Sequence, residues 1–89
     1  MIEPAVKDEL RGVLAAAEAD VRAIEALLLR DAACLELLAR IARAASRLDD
    51  AATTLLEAHS AYCVSRLRAH EPAYAGDLLD AVRHYRRLH

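Results

Sequence analysis

The chain has no tryptophan and no phenylalanine, and three tyrosines are its whole aromatic content. That argues against a compact core organised around large rings, which carry much of the buried area where they occur. Two glycines and two prolines in 89 residues leave few of the breaks that a strand-and-turn protein needs. No apolar run reaches the length that spans a bilayer, and the opening MIEPAVKDELRG lacks the basic-then-apolar layout of a secretory leader. The expectation is a cytoplasmic protein. It has two cysteines, and in a reducing compartment these read as metal ligands, redox sensors or core residues rather than a structural disulfide. A net charge of −2 gives no general attraction to nucleic acid or anionic lipid. No Ser-His-Asp grouping, glycine-rich phosphate loop or pair of catalytic carboxylates stands out, so neither an enzyme nor a small-molecule substrate is expected.

What the chain has in quantity is alanine, 21 copies, and leucine, 15 copies, both strong helix formers. Their spacing predicts an all-α protein, one domain of three helices. Val6, Leu10, Val13, Leu14, Ala17, Val21, Ile24 and Leu28 mark a stripe for helix 1 over about 5–29. Pro4 suits its first turn. Asp31 reads as the N-cap of helix 2, over about 32–68, which folds back on helix 1 as a hairpin. Along helix 2, Cys34, Leu38, Ile41, Ala45, Leu48, Ala52, Leu55, His59 and Tyr62 recur at steps of three and four, a coiled-coil-like seam. The opposite side carries Glu36, Arg40, Arg43, Arg47 and Asp50. Residues 70–76 read as a loop punctuated by Pro72 and Gly76. Asp77 then caps helix 3, over about 77–88, whose Arg83, Arg86 and Arg87 suit a negative C-terminal end.

Cys34 and Cys63 sit near the two ends of helix 2, and His59 lies one turn before Cys63 on the same face. Cys34 and His59 are roughly 37 Å apart along one helix, so a single copy cannot bring all three together. Two antiparallel copies can. Helix 1 is also too short to cover helix 2, and a chain this small buries only about 60–65% of its unfolded surface, so both arguments call for a second copy. For that register the twofold axis passes near Leu48. Two thiolates and an imidazole with no obvious fourth ligand fit trigonal Cu(I) better than four-coordinate zinc. The plainer alternative is that both cysteines are small core residues and His59 a hydrogen-bonded interior side chain.

The run from Val21 to Cys63 resembles the copper-sensitive operon repressor (CsoR-like) family of metal-sensing transcriptional regulators. The residues that carry the resemblance are Val21-Arg22-Ala23-Ile24, Cys34 at the start of helix 2, Leu55-Leu56-Glu57-Ala58-His59, and Cys63. The segment Gly76-Asp77-Leu78-Leu79-Asp80-Ala81-Val82-Arg83-His84-Tyr85 is similar to the family's helix 3. The resemblance implies an antiparallel homodimer forming a four-helix bundle, usually paired into a homotetramer. It implies Cu(I) between subunits on Cys34, His59 and Cys63, an acid near Asp77 supporting the histidine, and metal-dependent release of operator DNA. The DNA surface departs from the family. Where members carry a basic run on helix 1, this chain has Val13-Leu14-Ala15-Ala16-Ala17-Glu18-Ala19-Asp20. Arg22, Arg40, Arg43 and Arg47 remain as candidate DNA contacts, with Asp49 and Asp50 beside them. The runner-up reading is therefore a relative that binds Cu(I) or senses thiol oxidation without binding DNA, a metal buffer or partner subunit.

Overall fold

The computed structural model describes residues 2–89. It holds three helices and, among the described residues, no strand: α1 (Pro4–Leu29), α2 (Cys34–Arg68) and α3 (Tyr74–Arg86). No helix is long and apolar enough to cross a membrane among the described residues. Pro4 opens α1, where its missing N–H costs nothing. Gly12 is absorbed inside α1 and Gly76 inside α3.

Neither chain reversal uses glycine. After α1, Asp31 takes the left-handed conformation at φ 54°. The Ala32 amide reaches back to the Leu27 carbonyl at 3.0 Å and the Asp31 amide to Leu28 at 3.2 Å. This paired closure satisfies carbonyls that the helix end would leave unbonded. Asp31 is thus the terminator of α1 rather than the cap of α2, which begins at Cys34 with Ala33 before it and no side-chain cap. The same device ends α2. His70 sits at φ 64°, its amide 3.0 Å from the Leu67 carbonyl, and the Glu71 amide is 3.1 Å from Arg66. The chain turns at His70, not Gly76, so α3 starts at Tyr74, three residues before the expected Asp77, and Asp77 lies in its first turn. Its end falls at Arg86, short of Leu88.

The helices form one layer. The Cα envelope measures 57 × 26 × 13 Å and the radius of gyration is 17.2 Å, against about 12 Å for a compact domain of this length. α1 runs antiparallel along one flank of α2 and α3 along the other, and among the described residues α1 and α3 do not pack on each other. Ala44 and Ala51 of α2 are buried, as are Ala17 and Leu27 of α1. Small side chains there let the two backbones approach closely.

Arg40 and Arg47, expected on a solvated side, lie instead on the half-buried α1-facing side with these alanines. Arg47 Nε stands 2.6 Å from Asp20 Oδ2, and Asp20 is 12% exposed. Neither atom completes a hydrogen bond among the described residues, so the contact is an ion pair. Opposite charge within a half-buried layer makes this pair matter to α1–α2 docking. Asp20→Ala should lower stability by about 1–2 kcal/mol, within the range for bonds to charged groups after discounting Arg47's exposure. Urea titration of the variant against wild type measures it.

The large apolar residues read as the seam of α2 face outward, while Ala52, His59 and Tyr62 are half-buried. Leu38, Ile41, Leu48 and Leu55 are 54%, 48%, 50% and 41% exposed. Leu14, Val21 and Leu28 add a parallel exposed row on α1, and Leu14, Val21 and Leu48 share one groove between the helices. A stable domain packs at least two layers around its apolar faces. Here one broad apolar face is left without the second layer.

Candidate metal centre

His59 and Cys63 come together through helix pitch alone. They lie one turn apart on the uninterrupted α2, and His59 Nε2 is 3.4 Å from Cys63 Sγ. Ligands on one tetrahedral ion at about 2.1 Å (nitrogen) and 2.3 Å (sulfur) stand roughly 3.6 Å apart, so the pair is close to a chelating distance already. The donor types are soft and suit Cu(I) or zinc.

Cys63 has no exposed surface, and burial pushes its thiol above the ordinary range. The negative charge of Asp77 adds to that shift. Cys63 is therefore a neutral thiol at neutral pH. Any metal it takes must displace a proton, and binding tightens as pH rises. Asp77 stands near enough to act on Cys63, yet it makes no hydrogen bond to His59 among the described residues.

Cys34 is elsewhere. It is exposed at the first position of α2, 25 residues from His59 in sequence, or roughly 37 Å along the helix. Among the described residues no three histidine, cysteine or acidic side chains cluster within one copy. The structure thus joins two of the three sequence-named ligands and separates the third.

Of the four candidate DNA contacts, Arg22 is 3.9 Å from Glu18 and Arg47 is tied to Asp20. Arg40 is half-buried and Arg43 exposed.

Three features escaped the sequence reading. His84, given no role there, lines with His59 an apolar groove of about 570 Å³ between α2 and α3. The C-terminal end of α3 and the residues after it are tied to α2: Thr53 Oγ1 and Tyr85 Oη are 2.9 Å apart, and His89 Nε2 is 2.9 Å from Asp49 Oδ1. A third cluster gathers Tyr62, Arg66, Glu71 and Tyr74 at the α2–α3 turn. Its Tyr62–Arg66 part was legible as an i,i+4 pair; its reach to Tyr74 was not.

The family model for metal-sensitive transcriptional repressors matches residues 6–84 of the chain. No curated protein and no solved structure gives a significant match.

Proposed function

The chain belongs to the metal-sensitive transcriptional repressor family, and from that premise we propose that it responds to Cu(I), held between protomers by Cys34 of one and His59 and Cys63 of the other. The layout of α2 carries the proposal. A ligand pair 3.4 Å apart stands at one end, a lone exposed thiol at the other, and an open apolar face lies between them on one unbroken helix. Pairing two such faces about a twofold axis near Leu48 supplies the missing second layer as a four-helix bundle, and brings the opposite ends of α2 together. Pairing of dimers into a tetramer belongs to the same reading.

Bound Cu(I) supplies a link between the two ends of α2 across the dimer, on a donor set of two thiolates and one imidazole. The protein's part is to release the Cys63 proton, to present His59 Nε2, and to pass any shift of α2 to α1 across Ala17, Ala44 and the Asp20–Arg47 pair. An anaerobic Cu(I) titration against a chelating indicator tests this. One tight site per protomer is expected, lost in His59→Ala; full affinity in Cys34→Ala would rule out the intersubunit site.

A second reading is favoured by the arginines. Two of the four candidate DNA contacts already face a carboxylate, Arg22 at Glu18 and Arg47 at Asp20, and contacts of basic side chains to phosphate supply most of the non-specific affinity of DNA-binding proteins. In this reading the chain keeps Cu(I) or thiol chemistry and has lost DNA binding. A DNA titration at several salt concentrations separates the two. Repressor activity predicts binding that weakens by about 0.9 log units per log unit of salt for each phosphate neutralised, and that Cu(I) abolishes. A flat, weak response supports the buffer or partner role.

A further inference from the structure

We infer that the first turn of α3 is a gate over Cys63, held shut by a clasp centred on Arg66, and that Arg66 and Tyr74 are positioning residues for that thiol. The purpose of such a gate rests on Cys63 being a ligand; its existence rests on packing alone.

Cys63 is fully enclosed in a layer where most of α2 lies half open. The other buried positions, Ala17, Leu27, Ala44 and Ala51, belong to α1 and to the α1-facing side of α2. Cys63 is closed off on the α3 flank. The antiparallel register of α3 follows from its contacts: His89 against Asp49, Tyr85 against Thr53, and Tyr74 against Tyr62. That register sets the first turn of α3, Tyr74 to Asp77, opposite Cys63.

The turn is held by a small set of contacts. Arg66 Nε donates to Tyr62 Oη at 3.3 Å and stands 3.5 Å from Glu71 Oε2. Its guanidinium carbon lies 5.5 Å from the Tyr62 ring centre. The Tyr62 ring in turn meets Tyr74 edge to face, centres 5.6 Å apart at 75°. One guanidinium therefore joins the end of α2 and the connecting loop and, through Tyr62, reaches the first residue of α3. Arg66 and Glu71 are 43% and 44% exposed, so each contact is individually weak. A closure built from weak contacts opens locally without global unfolding. Entry of a soft metal or a thiol reagent to Cys63 proceeds through that opening.

The experiment is alkylation of the full chain by iodoacetamide without metal, with Cys63 followed by peptide mass spectrometry and its rate normalised to the urea-unfolded chain. Tyr74→Ala and Arg66→Met should each raise the native Cys63 rate by about tenfold through easier local opening. Tyr74→Phe, which keeps the ring, should restore protection. Tyr85→Phe, at the far end of α3, should leave it unchanged. An unaltered Cys63 rate in Tyr74→Ala, or equal acceleration by Tyr85→Phe, would overturn the clasp. The readout is thiol access, so its failure and a failure of the Cu(I) titration are separate results.

Discussion

Cys34→Ala and Cys63→Ala proteins should each lose tight Cu(I) binding, and unfolding and refolding the two together should restore about a quarter of the wild-type capacity. Each variant alone breaks both sites of a twofold dimer. In a mixed dimer, the Cys63→Ala chain contributes an intact Cys34, and the Cys34→Ala chain an intact His59–Cys63 pair 3.4 Å apart. That rebuilds one site of two, in the half of the dimers that random pairing makes mixed. The loss in each single variant should exceed about a hundredfold, beyond what removal of an outer supporting group costs. An intraprotomer site predicts a different pattern. Cys34→Ala would bind normally, because Cys34 lies some 37 Å from His59 along α2 and contributes nothing within its own copy. Absence of any recovery on mixing would sink the intersubunit assignment even if both single variants fail.

Leu48→Glu should abolish the folded dimer. Leu48 is half exposed in the single copy, at the centre of the open face and in the groove it shares with Leu14 and Val21. In the proposed assembly it meets its own symmetry mate, so the substitution places two carboxylates together in an apolar contact. Burying such groups unpaired costs several kcal/mol, a large part of a total stability of about 5–15 kcal/mol. Wild type should melt at a temperature that rises with protein concentration, as linkage between folding and assembly requires. Leu48→Glu should sediment as a monomer with reduced helix content, while Leu48→Met, close in volume, should cost under about 1.5 kcal/mol. A Leu48→Glu dimer as tight as wild type would place the contact elsewhere.

The all-α, three-helix character was legible in the sequence because alanine and leucine periodicity reports local conformation, which needs no tertiary contact to be read. So was the His59–Cys63 spacing, since helix pitch alone sets that distance. The reversals were misread. Asp31 looked like a cap and Gly76 like a turn, but which residue ends a helix depends on which carbonyls the next amides can reach. Asp31 and His70 take the left-handed position instead.

By itself, then, the sequence determined three helices, a stripe of apolar residues along the longest, and a histidine and a cysteine one turn apart near its end. Periodicity shows that a face exists without saying what covers it. The tertiary structure decided that α1 and α3 take the two flanks of α2, so that within one copy the stripe stays open. It also decided that Arg47 turns to Asp20 and that Cys63, but not Cys34, is closed off from solvent. Those outcomes depend on how side chains far apart in the chain share space, and no local pattern encodes them.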